Sequence, residues 1–584
     1  MKKTINNITF KYEGNYNVEI TEKCVSDDYA KLGIRIDMPT KTNPEKTAIR
    51  WDIPVSDIFS QWNPMLWFDN AVAPQWENTK CASRSALGAP VQTHISADGE
   101  NRITVALADV KTPCEIYSGI SEEKATISYK LVFFTEMIAP IDSYETEMIV
   151  DTRKIPFYDA VYDVSKYWDS LGYKSAYVPE NAQMPMYSTW YSMHQILESE
   201  DLINELKIAK EYGMDTVITD DGWQTDNNDR GYAYCGDWEV AESKIPDMEN
   251  LVDRVHALGM KYMMWYSVPF VGIHSKAYEK FKGKYLNPRS NDDWYVLDPR
   301  YPEVRQYLCD VYTSAVKNWG LDGLKLDFID SFALTEETAA VKDGMDFESL
   351  EDSVCALLGE TKKELIQINP DILIEFRQMY MGPIMRMFGN MIRVADCPYD
   401  PIRNRTGGLS LRMTSGSTAV HSDMIMWNTA DTAKNVAIQL ANSIFNVYQI
   451  SVRIENLPED HKKVLKFYLD FARENTDCLL SGKLKLYNPE ARFTLASSEM
   501  DGRLIAACYG KNILKTEKAY DHLTFINAGS EPELIVDSFD NSFDAEITIF
   551  NCMGDITAKY KTKIAEKLNP FDVELGGMID IKKI

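Results

Sequence analysis

The chain has 584 residues, 45% hydrophobic and 26% charged, so it is too long for one ordinary core and has the composition of a globular protein of about two to four domains. Its net charge of −26 argues against nucleic acid or an anionic membrane as a partner, and no run of eighteen apolar residues marks a transmembrane helix. The basic start MKKTINNITFKYEG lacks an apolar segment behind it, and the ten cysteines are scattered without paired spacing; both features predict a cytoplasmic protein with free thiols.

Residues 1–180 read as β-rich. Ile8–Tyr12, Lys31–Ile36, Arg102–Ala108 and Ala125–Phe134 alternate apolar and polar side chains between Asn, Gly, Pro and Asp punctuation, which predicts an N-terminal β-sandwich. Trp51, Trp62, Trp67 and Trp76 fall in this part. Core or edge packing is the expected work of most of them, and lining a sugar site at a domain border is the alternative.

After Pro179 strand and helix patterns alternate, the texture of parallel β/α architecture. Three joins repeat one design, a helical run closed by Gly213, Gly259 or Gly320 and followed two residues on by a strand. Eight strands can be named: Pro185–Tyr191, Thr216–Asp221, Tyr262–Ser267, Gly323–Phe328, Ile372–Arg377, Ile392–Asp396, Ala419–Asp423 and Ile450–Ile454. Each ends in polar or aromatic residues, and a (β/α)8 barrel keeps its active site at that end of its strands. The predicted barrel spans 181–482. It closes with a helix over Pro458–Glu474, whose buried stripe is Val464, Phe467, Tyr468 and Phe471. Residues 483–584 return to β texture. Arg492–Ser498 and Arg503–Tyr509 flank the turn at Asp501-Gly502, and three more strands follow, which predicts a small C-terminal β-sandwich.

The chemistry is densest in Gly-Leu-Lys-Leu-Asp-Phe, 323–328. Lys325 and Asp327 are two residues apart on a strand and so share a face; a carboxylate there can serve as a nucleophile at the barrel mouth, and a structural Lys–Asp pair is the alternative. Asp396 is the second carboxylate, across the mouth, either a general acid/base or a turn residue bonded to backbone around Cys397-Pro398. Asp220-Asp221-Gly222-Trp223 offers adjacent acids for sugar hydroxyls and an indole for the ring's C–H face, unless the acids merely decorate a helix start. With seven His and no HxH or HxxxH spacing, no metal is expected.

These motifs resemble glycoside hydrolase family 36, the α-galactosidase and α-N-acetylgalactosaminidase clan. They are Asp-Asp-Gly-Trp at 220–223, Gly-Asp-Trp at 236–238, Leu-Lys-Leu-Asp-Phe at 324–328 and Ala-Asp-Cys-Pro-Tyr-Asp-Pro-Ile-Arg at 395–403, in that order along a sandwich–barrel–sandwich layout. The resemblance implies Asp327 as nucleophile and Asp396 as acid/base, with Asp220, Asp221 and Lys325 on the terminal sugar and Trp190 and Trp265 in the pocket wall. It also implies homo-oligomers, of a number the residues do not fix. Two features depart from the family: Ile329 stands where an Asn is usual, and Arg377, Gln378 and Tyr380 replace a glycine-rich turn after the fifth strand. Arg377 is expected to neutralise Glu375, or else to bind an anionic group on the substrate. Asp423 of His421-Ser422-Asp423, and Arg453 with Glu455, are weaker candidates for subsite contacts. The expected activity is a retaining exo-α-glycosidase without cofactor, α-galactosides first. The alternatives are another α-sugar such as N-acetylgalactosamine or an acidic hexose, a transglycosylase, and a non-catalytic carbohydrate-binding protein.

Overall fold

The computed structural model describes residues 2–5, 8–66, 68–287 and 293–584. Trp67 lies outside the described residues.

Two six-stranded antiparallel sheets form the N-terminal part. One contains Ile8–Glu13, Thr47–Pro54 and Thr126–Phe133; the other contains Tyr29–Thr42, Ile141–Asp151 and Asn101–Leu107. Their inward positions (Phe10, Leu32, Ile34, Ile36, Ile49, Trp51, Val105, Ile127, Leu131) make one apolar core, as the alternation requires. Trp51 and Trp62 are buried, whereas Trp76 is exposed. A helix, Phe157–Ser170, leads from this sandwich to the barrel.

The barrel strands are β1 Met186–Ser188, β2 Thr216–Thr219, β3 Lys261–Ser267, β4 Gly323–Asp327, β5 Leu373–Arg377, β6 Met391–Arg393, β7 Ala419–His421 and β8 Gln449–Ile450. They pair in parallel in chain order, and β8 returns to β1. Parallel bridges from His421 to Val447 and from Ile425 to Ile450 join β7 to the β8 segment and close the cylinder. The main outer helices are α1 Ser199–Glu211, α2 Met248–Ala257, α3 Pro302–Trp319, α4 Leu350–Ile368, α5 Met385–Phe388, α6 Pro401–Thr414, α7 Ala433–Asn442 and α8 Glu459–Glu474. Gly213, Gly259 and Gly320 all adopt positive φ (87°, 74° and 71°) where α1, α2 and α3 end. Each of the eight expected strands overlaps an observed one, but the first, seventh and eighth stop early, at Ser188, His421 and Ile450, with Trp190 beginning a short helix after β1. The predicted sixth strand runs too far: β6 stops at Arg393, which leaves Asp396 on the loop beyond it.

From residue 483 a seven-stranded mixed sheet and a three-stranded sheet enclose a second small core that includes Leu504, Leu523, Phe525, Ile547 and Ile579. The whole is a multidomain α/β protein, a central (β/α)8 barrel between two β-sandwiches. Among the described residues no helix is long and apolar enough to cross a membrane.

Candidate active site

The period-2 geometry of a strand sorts the barrel interior into tiers. Met186, Ile218, Met263, Leu373, Met391 and Ala419 pack together as an apolar plug. Two residues further along the same strands stand Ser188, Asp220, Trp265, Glu375, Arg393 and His421, and β4 adds Lys325 at this level. This middle tier is ionic: Lys325 pairs with Asp220, Gln449 reaches across from β8 to Glu375, and Arg393 Nε lies 3.8 Å from Glu375. One step higher, at the C-terminal mouth, lies Asp327.

Asp327 is buried and held by four donors. Its Oδ1 accepts from Arg377 Nε (2.6 Å), Tyr380 Oη (3.0 Å) and the Phe328 amide (2.8 Å); its Oδ2 accepts from Trp265 Nε1 (3.0 Å). Burial alone would raise its pKa, but Arg377, Lys325 and Arg393 outweigh that and hold it well below the ordinary carboxylate range. Phe328 takes a left-handed φ of 63°, an uncommon conformation for an aromatic residue, directly after the carboxylate.

This geometry corrects the expectation for Arg377 and sets aside the alternative of a direct Lys325–Asp327 pair. Arg377 neutralises Asp327 rather than Glu375, and its guanidinium lies between the rings of Phe328 and Tyr380, 5.0 and 5.5 Å from their centroids. Lys325 acts on Asp327 through space while its hydrogen bond goes to Asp220. The correction for Arg377 carries a stability prediction. Because the folded pKa of Asp327 is depressed, its ionised form stabilises the protein above the unfolded carboxylate range, and that stabilisation fades as pH falls towards the folded value. Arg377→Met is therefore expected to cost about 3 kcal/mol at neutral pH, and the deficit should narrow below about pH 4. Thermal unfolding across that range measures it, and a deficit independent of pH would contradict the pairing.

Asp396 is more open, its side chain 55% exposed, with Oδ1 on Arg393 Nη1 at 2.8 Å. The same nitrogen holds Asp423 Oδ1 at 3.0 Å. Enclosure by the rim tends to raise the Asp396 pKa, but Arg393 and then Lys325 bring it below the usual range. Asp423 is not the subsite contact expected of it: it is fully buried, and its Oδ2 is taken by Tyr191 Oη (3.1 Å) and the Cys397 amide (2.6 Å). Burial, and then Asp396 beside it, push Asp423 up to about 6 against the pull of Arg393.

Asp220 and Asp221 are both buried where β2 ends. Asp220 Oδ1 accepts from the Asp221 amide at 2.9 Å. Asp221 accepts Gln224 Nε2 on Oδ1 and Gln195 Nε2 on Oδ2, each at 2.7 Å, and burial pushes it up to about 6. Trp223 does not face a sugar. It is fully buried, donates from Nε1 to the Trp265 carbonyl at 2.9 Å, and packs against Trp238, Tyr266 and Trp319. Trp265 is likewise a buried residue that orients Asp327 rather than an open wall. Trp190 is half-buried, edge-on to His194, with the Arg230 guanidinium 5.8 Å over its ring. Tyr380 is buried and aimed at Asp327. Arg453 pairs with Asp201 and Glu455 outside the barrel interior. Arg393, Gln195, Gln224 and Tyr191 were not singled out as site residues by sequence reasoning; for Arg393 the signal was available, since it occupies an inward parity on β6.

Glu375 is fully buried in the middle tier, and burial pushes it up to about 7 from 4.5. Its folded pKa exceeds its unfolded one, so the wild-type protein loses stability as pH rises between those two values. Glu375→Gln lacks that slope. Its Tm, measured against wild type, is expected to be more favourable at pH 8 than at pH 5, and an unchanged difference between the two would contradict a neutral Glu375. His421 beside it is pushed down to about 4 by burial and is neutral. A cavity of about 910 Å³ lies beneath the start of β7, lined by Tyr162, Ser175, Tyr177, Arg412 and Lys483 among others, and contains none of these acids. Among the described residues no cluster of three His, Cys, Asp or Glu is placed to hold a metal ion.

The melibiase family model matches residues 163–375. That span runs from the connecting helix into β5, so it includes Asp220, Asp221, Lys325 and Asp327 and stops before Arg377 and Asp396. The bifunctional α-galactosidase/sucrose kinase AgaSK of Mediterraneibacter gnavus is 28% identical over 169 residues, 27% of this chain and 18% of that protein. The α-galactosidase AgaA of Geobacillus stearothermophilus is 26% identical over 146 residues, 24% of this chain and 20% of that protein. The chain is similar to glycoside hydrolase family 36. It spans about a fifth of the length of these curated relatives. In three dimensions the likeness is broader. The crystal structure of the family 36 α-galactosidase AgaA superposes with a TM-score of 0.63 at 14% identity, covering 99% of this chain and 81% of that one. The galactosidase domain of AgaSK gives 0.64 at 12% identity, covering 99% and 80%. An AgaA variant was solved in complex with raffinose and gives 0.65 at 14% identity, covering 99% and 83%. The likeness in fold therefore extends over nearly the whole chain, whereas the family model matches only from the connecting helix into the fifth strand.

Proposed function

We propose that this chain is a glycoside hydrolase, a retaining exo-α-glycosidase whose first substrate to test is an α-galactoside, by analogy with the α-galactosidases it resembles. One observation carries the reading: Asp327 and Asp396 stand at the same C-terminal rim and answer to the same three cations, Lys325, Arg377 and Arg393. Asp327, kept ionised, attacks the anomeric carbon while Asp396 gives a proton to the departing oxygen; the β-glycosyl ester is then cleaved by water that Asp396 deprotonates. Asp396 needs a proton for the first step. Covering its open carboxyl with substrate desolvates it and raises its pKa. Asp220 and Asp221 form the floor for the outer hydroxyls with lone pairs their protein partners leave unfilled, and Lys325 adds N–H donors beyond the one it gives Asp220.

Arg377 bears on the choice of sugar. Its charge is already matched by Asp327, which disfavours the acidic-hexose alternative. We further propose domains at 1–180, 181–482 and 483–584, a cytoplasmic setting consistent with ten free cysteines, and a homo-oligomer. A panel of nitrophenyl glycosides tests the activity. Release from the α-galactoside above all others is expected; no release from any α-glycoside removes the proposal, and preference for a uronide restores the anionic reading of Arg377.

A further inference from the structure

The N-terminal sandwich touches the barrel at one place that matters for the carboxylate chemistry. Arg84 begins a tight turn closed by paired backbone bonds between Arg84 and Leu87 (2.9 and 3.1 Å). Its side chain is 6% exposed. The guanidinium donates from Nη1 to the Phe332 carbonyl at 2.7 Å and from Nη2 to the Asp330 carbonyl at 2.6 Å, five and three residues beyond Asp327. Four residues on from Arg84, the Gly88 amide donates to the Met379 carbonyl at 2.9 Å. Met379 lies between Gln378 and Tyr380, in the loop that follows Arg377 at the end of β5 and supplies Tyr380 to Asp327. The seam is backbone against backbone: a Cβ on Gly382 would meet the Gly88 carbonyl oxygen at 2.6 Å, and Gly88 itself has a φ of 56° with the Ala82 carbonyl oxygen 2.2 Å from where its Cβ would stand. One turn of the sandwich thus grips both the loop that follows the carboxylate and the loop that brings Tyr380.

We infer that Arg84 is a positioning residue for Asp327, and that the sandwich turn 84–88 is a working part of the active site rather than a neighbouring support. A carboxylate attacking an anomeric carbon needs its oxygen held at short range and fixed angle, and displacement of about 1 Å costs on the order of a hundredfold in rate. Asp327 is fixed laterally by Arg377, Tyr380 and Trp265. The Arg84 fork holds the loop after Asp327 and the Gly88 amide holds the loop after β5, so one turn ties the two together beside the Tyr380 bond to the Leu326 carbonyl (3.1 Å). Arg84 does not touch Asp327 in this arrangement; it acts through the loop after the carboxylate, which it ties to the turn whose Gly88 amide holds Met379. An arginine suits the task because one planar group reaches two carbonyls at once, which a lysine does less well.

The inference rests on the proposed role of Asp327, and the test separates the two. Arg84→Met and Arg84→Lys are made in the full chain and assayed on the best nitrophenyl glycoside, with kcat and KM read separately and thermal unfolding followed in parallel. The expected result is a kcat lower by about tenfold to a hundredfold in Arg84→Met, KM within about threefold of wild type, and partial recovery of kcat in Arg84→Lys. If Arg84→Met does not yield folded protein, Arg84→Gln, which keeps one amide donor, is expected to show an intermediate loss of kcat. A wild-type kcat within about twofold in a folded Arg84→Met or Arg84→Gln variant, or a change confined to KM or Tm, overturns the inference while leaving the glycosidase reading intact. Wild-type protein inert on every glycoside instead overturns the reading on which it rests.

Discussion

Asp327→Asn is expected to lower turnover of the best substrate by about 10⁴-fold or more while leaving the protein folded. The amide keeps the shape of the side chain and one acceptor oxygen for Arg377 and Tyr380, but it cannot form the glycosyl ester. Asp327→Ala should be equally inactive and less stable than Asp327→Asn, since both lose the counter-ion of Arg377 but only Ala also removes the oxygen that accepts from Arg377 and Tyr380. Steady-state rates of the two variants with their unfolding midpoints check both halves. Equal activity of Asp327→Asn and wild type would remove the nucleophile assignment. Equal stability of the Asn and Ala variants would show that the hydrogen bonds from Arg377 and Tyr380 contribute little.

Asp396→Ala is the second large effect, and its signature is selectivity. A departing sugar or alkoxide needs a proton, so its release should fall by about 10³-fold; an activated aryl leaving group needs little help, and its glycosylation step should fall far less. Comparing a dinitrophenyl glycoside with the natural-type oligosaccharide measures the difference. The position of Asp396 fits this role better than that of Asp423. Asp396 is open at the rim on Arg393, whereas Asp423 is enclosed with both oxygens occupied. A uniform loss on both substrates would mean that Asp396 fixes the loop after β6 and donates nothing.

The strands were readable because a half-buried pleat repeats every two residues, and the helix ends because Gly213, Gly259 and Gly320 need left-handed backbone. That same parity placed Lys325 and Asp327 on the inner face. It could not say which partner each would take. Lys325 stands opposite Glu375 in the β4–β5 register, so the residue level with Asp327 is Arg377, two places on, and the ion pair follows from the register rather than from nearness in sequence. Lys325 then turns to Asp220 on β2 instead. Trp223 was misread for a related reason. Past the end of β2 the chain leaves the pleat, parity no longer sets direction, and the indole turns back under the loop to bond the Trp265 carbonyl. Asp396 lies on a loop where a strand end was expected, because β6 stops at Arg393 and the chain turns through Cys397 and Pro398 into α6. The Arg84 contact was invisible in sequence, since it joins residues some 246 positions apart across two folding units.

The most direct test is to trap the ester. Incubation with a slow, activated α-glycoside bearing fluorine beside the anomeric carbon, followed by acid quench and peptide mass analysis, reports which side chain carries the sugar. The account predicts a single glycosyl adduct on the peptide containing Asp327, absent in Asp327→Asn. A sugar attached to any other residue, or turnover with inverted anomeric configuration, would contradict it.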